Sequence, residues 1–229
     1  MKAKILEIFS SIQGEGKYAG VKQVFVRFFE CNMHCVWCDT PASIGDTSRN
    51  FQEMDLQEVY SRIEQSWRDD HSVSLTGGEP LLQKDFIKSL LPVLKFKKMP
   101  TYLETNGTLP NELEEIIDDI DIVAMDIKLP SSTQCRSYWK EHKEFLKIAL
   151  KKDVFIKTVI SSETDEADIL QSIDLVAEID PGVLFILQPN TYDLGNGVVK
   201  KCLLYQGSCL KRLNNVRIMP QMHKFMKIR

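Results

Sequence analysis

The stretch VFVRFFECNMHCVWCDT, residues 24–40, joins an apolar run to three closely spaced cysteines. The run from Val24 to Phe28 is rich in valine and phenylalanine, which is typical of a buried β-strand. Cys31, Cys35 and Cys38 follow it, so three thiols stand within eight positions directly after a predicted strand. In parallel sheets, ligands gather at the carboxyl ends of strands, so this loop is a candidate functional site.

Beyond this stretch, short β-rich segments alternate with longer segments of helical spacing. The further β-rich segments are SVSLTGG, TYLETNG, IDIVAMDIK, DVFIKTVIS and GVLFILQP. Between them, DLQEVYSRIEQSW places its apolar residues at steps of three and four, as an amphipathic helix does. This alternation predicts an α/β fold with a parallel sheet and crossover helices. About six βα units are too few for a closed eight-fold barrel, so we expect an open, partial βα barrel in a single domain, residues 1–229.

The unusual residues of the chain fall at the carboxyl ends of the predicted strands. Because parallel strands end at the same edge of the sheet, one rim is expected to hold the chemistry. The residues at these ends are Cys31, the run Gly77-Gly78-Glu79-Pro80, the run Glu104-Thr105-Asn106-Gly107, Asp126, Lys128 and Gln188.

Composition argues against several classes of protein. The 229-residue chain has a formal net charge of −3, with 43% hydrophobic and 27% charged residues, so nucleic acid and anionic membranes are not expected as partners. No apolar run approaches the roughly 18 residues of a membrane span, and the first residues lack the apolar core of a signal peptide. Half of the six cysteines form one cluster, which fits metal binding in the reducing cytoplasm better than a disulfide framework.

Three thiols so close together are compatible with three kinds of site. A zinc ion could take His34 as its fourth ligand, although structural zinc sites usually draw ligand pairs from two separated segments. A thiol-redox site at Cys35 and Cys38 would leave Cys31 unused. A four-iron cluster fits better, because its iron corners lie close together and three cysteines leave one iron open for a small ligand.

The spacing Cys-x3-Cys-x2-Cys, with Trp37 before the last cysteine, resembles the signature of the radical S-adenosylmethionine (SAM) superfamily. In that superfamily the open iron binds SAM, and reductive cleavage of SAM gives a 5′-deoxyadenosyl radical. The Gly-Gly-Glu-Pro run one βα unit later resembles the segment that holds the SAM amino group, and glycines let a backbone approach a ligand closely. The stretch EIFSSIQGEGKYAGVKQVFVRFFECNMHCVWCDT, and the chain onward to PQMHKF, closely resembles the 7-carboxy-7-deazaguanine synthase family.

This resemblance implies a reaction and its partners. Members of that family are lyases of queuosine (deazapurine) biosynthesis that use a [4Fe-4S] cluster, SAM and Mg²⁺. They convert 6-carboxy-5,6,7,8-tetrahydropterin to 7-carboxy-7-deazaguanine and ammonia, starting with removal of a hydrogen atom from C6, and they regenerate SAM. The resemblance also implies a homodimer that receives electrons from flavodoxin or ferredoxin.

The same resemblance assigns roles to individual residues. It places the cluster on Cys31, Cys35 and Cys38 and Mg²⁺ on Thr40, with the segment 1–20 and the tail 214–229 near the substrate. The residues implied at the substrate are Ile12, Gln13, Gly14, Glu15, Arg27 and Thr76. The residues implied at SAM are Trp37, Asp39, Gly78, Glu79, Glu104, Asp126, Ile127, Lys128 and Gln188.

Arg27 has an independent argument from its neighbours. It lies in an apolar strand, where a buried cation needs a partner, and its planar fork suits a substrate carboxylate. The alternative is an arginine at a strand edge that faces water.

Some features of the chain point elsewhere. Asp126-Ile127-Lys128 stands where the synthases more often have Ser-Pro-Lys, which puts an aspartate beside SAM. A glycyl-radical activating enzyme shares the cysteine spacing, but typically carries Asp-Gly-Pro-Gly where this chain has Gln-Gly-Glu-Gly, residues 13–16. A zinc-binding module without catalytic activity is the alternative from another class.

Cys202 and Cys209 share an apolar helical stripe and are expected in the core, and Cys135 is interpreted as incidental.

Overall fold

A nine-stranded mixed sheet forms the centre of the structure, a computed structural model that describes residues 1–45 and 50–228. Within these residues the strand order is β3-β1-β2-β4-β5-β6-β7-β8-β9, and the sheet does not close. Neighbouring strands from β2 to β9 are parallel, whereas β1 is antiparallel to both β2 and β3. The strands are β1 (Lys2–Ile12), β2 (Lys22–Phe28), β3 (Gln52–Asp55), β4 (Ser72–Gly77), β5 (Thr101–Thr105), β6 (Ile122–Asp126), β7 (Asp153–Ile160), β8 (Phe185–Pro189) and β9 (Val216–Ile218).

Helices connect the parallel strands and cover one face of the sheet. α1 begins with a capping box, in which Glu58 N donates to the Asp55 side chain (2.9 Å) and Asp55 N donates to the Glu58 side chain (2.7 Å). In the described residues none of the helices is long and apolar enough to cross a membrane. The helices are α1 (Leu56–Ser66), α2 (Lys84–Phe96), α3 (Pro110–Glu114), α4 (Pro130–Thr133), α5 (Trp139–Ala149), α6 (Glu166–Ile179), α7 (Val198–Cys209) and α8 (Met222–Met226).

The α/β class and the open partial barrel are confirmed, and so are the six predicted parallel strands, which are β2 and β4 to β8. The sheet is larger than predicted, because β1, β3 and β9 were not expected as strands. Positions 46–49 and 229, which belong to the predicted domain and in the last case to the predicted tail, lie outside the described residues.

The two faces of the sheet have different chemistry. Because alternate residues of a strand share a face, one set packs on the helices to form the main core, which also contains the buried Cys202 and Cys209 as predicted. On the other face, Tyr102, Phe155 and Ile186 form a small apolar cluster toward the amino ends of the strands. Continuing along the same face toward the carboxyl ends, the strands present Arg27, Thr76, Glu104, Asp126, Lys157 and Gln188.

Candidate active site

A cavity of about 380 Å³ opens at the carboxyl ends of the parallel strands. Its walls come from the β1–β2 connection, the loop after β2, the ends of β4 to β7, and the segment that contains α8. The predicted site residues line this cavity, except for Glu79, Ile127 and Gln188. Gln188 instead lines a smaller cavity of about 80 Å³, which shares Glu15, Trp37 and other wall residues with the first.

The loop after β2 places Cys31, Cys35 and Cys38 on the wall of the larger cavity. Burial raises the pKa of the Cys31 thiol to about 11 and that of the Cys35 thiol to about 12. Three thiols on one wall can ligate a metal group only as thiolates, so ligation would displace their protons.

The cysteine loop is anchored on the segment around α4. Trp37 Nε1 donates to Ser132 O at 2.6 Å, and Val36 N donates to Thr133 O at 3.1 Å. The Lys128 ammonium lies 5.0 Å from the centre of the Trp37 ring, within the range of a cation–π contact. These contacts hold Cys35 and Cys38 toward the cavity.

Cys135 lies close to this loop, although the sequence analysis interpreted it as incidental. Its Sγ donates to Thr133 O at 3.7 Å, the same carbonyl that binds the backbone after Cys35. The charge of Cys135 also contributes to the raised pKa of Cys35. The chain therefore brings a fourth thiol near the three predicted ligands.

Gly77 and Gly78 are required by a contact between two backbones. A Cβ on Gly78 would lie 2.1 Å from Glu30 O, and a Cβ on Gly77, whose φ is +135°, would lie 2.2 Å from Phe28 O. Glu79 N also donates to Glu30 O at 2.9 Å. The glycines thus let the end of β4 touch the start of the cysteine loop, and the predicted close approach of SAM to them stays a prediction.

Glu79 and Ile127 lie behind the cavity wall. Burial raises the pKa of the Glu79 carboxyl to about 7, against hydrogen bonds that it accepts from Asn106 N (2.8 Å) and Thr105 Oγ1 (2.9 Å). The Ile127 side chain is fully buried in the main core, and its N donates to Lys157 O. Both side chains support the wall, and the contact of these two residues with SAM stays a prediction.

Gln13, Thr76 and Glu104 form one hydrogen-bonded group at the inner end of the cavity. Gln13 Nε2 donates to one Glu104 oxygen at 2.6 Å, and Thr76 Oγ1 donates to the other oxygen at 2.6 Å. Gln13 Nε2 also donates to Gln23 Oε1 at 3.0 Å, which fixes the orientation of the Gln13 amide. Gln13 and Thr76, which are predicted at the substrate, thus both donate to Glu104, which is predicted at SAM.

A row of alternating charges crosses the cavity from Glu15 to Lys128. Lys157 forms an ion pair with Glu15, and its Nζ lies 3.6 Å from Asp126 Oδ2, which accepts from Lys128 Nζ at 2.8 Å. Burial alone would raise the pKa of Glu15, but the Lys157 charge and hydrogen bonds lower it to about 2. Asp126 stands where the synthases more often have a serine. Its negative charge is balanced by two lysines, Lys128 and Lys157, which face it.

Two buried acceptors in this region have no hydrogen-bond partner among the residues that the structure describes. They are Asp126 Oδ1 and Gln188 Oε1. Buried polar atoms are nearly always hydrogen-bonded, so these oxygens are suited to donors of a bound ligand. This observation fits SAM, whose amino and hydroxyl groups are donors.

Arg27 lies on the cavity wall beside Glu7. Its side chain is 18% exposed, and Nε donates to Glu7 Oε1 at 2.8 Å. The guanidinium carbon lies 5.8 Å from the centre of the Phe9 ring. Arg27 is therefore a paired, mostly buried cation on the inner face of the sheet.

Thr40 stands at the mouth of the cysteine loop. Its hydroxyl lies 4.0 Å from Cys38 Sγ, and its carbonyl accepts from Ser43 N at 2.9 Å. The residue lines the cavity. The adjacent Asp39 belongs to a group with Glu15 and His223, whose potential metal-ligand atoms lie within 4.8 Å of one another.

The segment that contains α8 closes this end of the cavity. His223, Lys224 and Ile228 line the wall, and Lys224 Nζ lies 3.8 Å from Asp39 Oδ2. Burial lowers the pKa of His223, although the nearby Glu15 charge opposes that effect.

Comparisons with known proteins agree with this architecture. Residues 26–176 match the Radical SAM superfamily. The 7-carboxy-7-deazaguanine synthase of Geobacter sulfurreducens is 41% identical, over 98% of this chain and 97% of the relative. This chain belongs to the 7-carboxy-7-deazaguanine synthase family. The synthase of Archaeoglobus fulgidus is 35% identical over 100% of both chains.

A solved structure of this fold is similar along the whole chain. The crystal structure of QueE from Escherichia coli matches with a TM-score of 0.67 at 23% identity, covering 97% of this chain and 95% of that chain. As a radical SAM enzyme of the deazaguanine synthase family, the chain uses a [4Fe-4S] cluster and SAM. The relatives support this family over a glycyl-radical activating enzyme and over a zinc-binding module without catalytic activity.

Lys157 and Gln221, which line the smaller cavity, were not predicted as individual site residues, although Gln221 lies in the tail 214–229 that was expected near the substrate. Lys157 had a usable signal, because it is a cation near the carboxyl end of an apolar strand, as Arg27 is. Gln221 had no comparable signal, since a glutamine in a polar stretch is unremarkable and only the fold brings it to Glu15 and Asp39.

Proposed function

We propose that the protein converts 6-carboxy-5,6,7,8-tetrahydropterin to 7-carboxy-7-deazaguanine with release of ammonia, as a carbon–nitrogen lyase of queuosine biosynthesis. The observation that carries the proposal is that one cavity joins the three thiols to the group formed by Gln13, Thr76 and Glu104. An open iron site and a polar pocket for a flat heterocycle then lie in the same space.

The cofactor end of the cavity is assigned to the cysteine loop and the ends of β4 and β6. Cys31, Cys35 and Cys38 would hold the cluster, which together with SAM would supply a radical able to remove a hydrogen atom from the substrate. Gly78 and Asp126, the latter with one unpartnered buried oxygen, are the proposed SAM contacts of the strand ends. In the same proposal Trp37, Asp39, Lys128 and Gln188 complete the SAM site from the surrounding wall.

The substrate end is assigned to the inner face of β2, β4 and β5. Arg27 would bind the substrate carboxylate, because its guanidinium lies at the wall and its fork matches a carboxylate. The Glu104 carboxylate accepts from Gln13 and Thr76, both substrate-side residues, and it retains capacity for further donors. We therefore place Glu104 with the substrate, where it would accept from the amino edge of the pterin, rather than at the SAM ribose.

The rest of the substrate site lies nearer the mouth of the cavity. Ile12, Gly14 and Glu15 of the segment 1–20 would flank the pterin, and the segment 214–229 would cover it through His223. The whole described chain thus acts as one domain in this proposal.

Mg²⁺ is proposed at the mouth of the cavity. Thr40 would provide one oxygen, and Mg²⁺ commonly completes its shell with water and substrate oxygens. Asp39, the neighbour of Thr40 in the sequence, and Glu15 have ligand oxygens within 4.8 Å of each other on the same cavity wall. The metal would orient the substrate and offset negative charge during the rearrangement.

Further partners follow from the same proposal. The enzyme would receive electrons from flavodoxin or ferredoxin and would act as a homodimer in the cytoplasm, where free thiols stay reduced. These features rest on the family and not on contacts within this chain.

Anaerobic turnover tests the proposed function. The reconstituted protein is mixed with SAM, a reductant, Mg²⁺ and synthetic 6-carboxy-5,6,7,8-tetrahydropterin, and the product and ammonia are measured. We expect 7-carboxy-7-deazaguanine without net consumption of SAM. A protein with a full cluster that cleaves SAM but leaves the carboxypterin unchanged would refute the assignment.

A further inference from the structure

Gln221 joins three loops that are far apart in the sequence. Gln221 lies directly before α8 and is buried, with 8% of its surface exposed. Nε2 donates to Glu15 at 2.7 Å and to Asp39 at 3.0 Å, and Oε1 accepts from Thr191 Oγ1 at 2.5 Å. One amide therefore binds the β1–β2 connection, the cysteine loop and the loop after β8.

The chemistry of the neighbours fixes the orientation of this amide. Ionised carboxylates only accept hydrogen bonds, so the NH₂ end of Gln221 must face Glu15 and Asp39. These two groups have oxygen atoms within 4.8 Å of each other, where like charges repel. An uncharged group with two N–H donors fits between them, and a carboxylate of the same shape would not.

The same segment is tied to the substrate side by its backbone. Met222 N donates to Gly14 O at 2.8 Å, immediately beside Glu15. Docking of the segment Gln221–Ile228 and alignment of the Glu15 carboxylate are therefore linked through adjacent residues.

We propose that Gln221 is a positioning residue that couples docking of the segment Gln221–Ile228 to the orientation of Glu15 and Asp39 at the mouth of the cavity. The inference rests on the proposed function only in the role of Glu15 at the substrate. Gln221 itself acts through these two carboxylates and through Thr191.

The test compares Gln221→Glu with Gln221→Ala in the full-length, cluster-loaded protein without substrate. At pH 8 the carboxylate introduced by Gln221→Glu faces the carboxylates of Glu15 and Asp39 and cannot donate to them. The segment 221–228 should therefore exchange its amide hydrogens at least about tenfold faster than in the wild type, because hydrogen bonds to charged groups are lost. Gln171→Glu, on the exposed face of α6, is the matched control and should behave as the wild type.

A pH profile separates positioning from simple packing. At pH 6 the carboxyl introduced by Gln221→Glu should take up a proton, regain one donor and recover much of the protection, whereas Gln221→Ala should not recover. Rates are corrected for the intrinsic pH dependence of exchange. The charged groups that face this position are Glu15, Asp39, His223, Lys157 and Lys224.

Wild-type protection in both variants would overturn the proposal, and so would an equal loss in Gln221→Glu at the two pH values. In turnover, Gln221→Glu should raise KM for the carboxypterin. If the wild type does not convert the carboxypterin, the proposed function fails while the exchange result stands. If it does and KM does not move, the positioning role fails.

Discussion

Replacing Lys157 with methionine should remove the cation that allows Glu15 to stay charged inside the cavity. The two side chains form an ion pair and are each 18% exposed. The pKa of Glu15 is lowered from 4.5 to about 2, and at about 1.36 kcal/mol per pKa unit this corresponds to roughly 3 kcal/mol. Removing one partner of a buried pair typically costs about 3–5 kcal/mol, so we expect Lys157→Met to lose about 3 kcal/mol at pH 8. For a chain of this size that is a fall of roughly 6–12 °C in Tm.

The sign of the pH dependence follows from the same charges. In the wild type, the lowered pKa of Glu15 gives stability that is present above pH 4.5 and is lost only as the pH falls through about 2. Without Lys157, burial raises the pKa of Glu15 above its usual value, so Glu15 takes up a proton as the pH falls. The difference in Tm between wild type and Lys157→Met should therefore narrow from pH 8 to pH 5.

Lys17→Met is the matched control for this experiment. Lys17 also pairs with a carboxylate, Asp153 at 2.6 Å, but these side chains are 39% and 36% exposed. Exposed pairs contribute about 0–1 kcal/mol, so this variant should lose little. Calorimetry or thermal denaturation monitored by circular dichroism on the cluster-loaded proteins gives both values. Equal losses in the two variants, or a loss in Lys157→Met that is the same at pH 5 and pH 8, would refute the reasoning.

Three further predictions concern the proposed ligands. Cys35→Ala should abolish SAM cleavage and lower the iron content, whereas Cys202→Ala, in the core, should keep both, as checked by iron and sulfide analysis together with deoxyadenosine assays. Arg27→Lys should lose the bidentate contact and weaken carboxypterin binding by about 1.5–3 kcal/mol in equilibrium titrations, with SAM affinity unchanged. An unaltered carboxypterin affinity would show that Arg27 does not bind the substrate. Thr40→Ala should need more Mg²⁺ for turnover than the wild type and Thr40→Ser should not, so identical Mg²⁺ titrations of all three proteins would exclude the hydroxyl as a ligand.

The parallel part of the fold was predictable because each of its strands carries a strong local signal. Runs such as SVSLT and IDIVAMDIK are apolar, β-branched and bounded by turn residues. The three added strands lack that signal: β3 is a polar stretch of four residues, QEMD, and β9 has three residues. β1 was interpreted only as a segment near the substrate, and its pairing with β2 depends on a long-range antiparallel register that no local pattern specifies.

The candidate site was predictable where residue identity alone indicates chemistry. The cysteines and most of the predicted residues at the strand ends line one cavity, which is the candidate site. The role of the glycines did not follow, because a Gly-Gly pair indicates close approach without saying whether a ligand or another backbone approaches. The contacts of Gln221 could not be predicted from the sequence either, because its partners Glu15 and Asp39 lie 206 and 182 positions away.

The backbone contact of Gly78 with Glu30 has a consequence for anyone who wishes to redesign this pocket. Cys31 directly follows Glu30, so main-chain contacts set how closely the start of the cysteine loop approaches the end of β4. Adding even one carbon at Gly78 would force the two segments apart. A variant that accepts a bulkier heterocycle must therefore gain its space where side chains and not peptide groups define the boundary of the cavity, for example at Ile12.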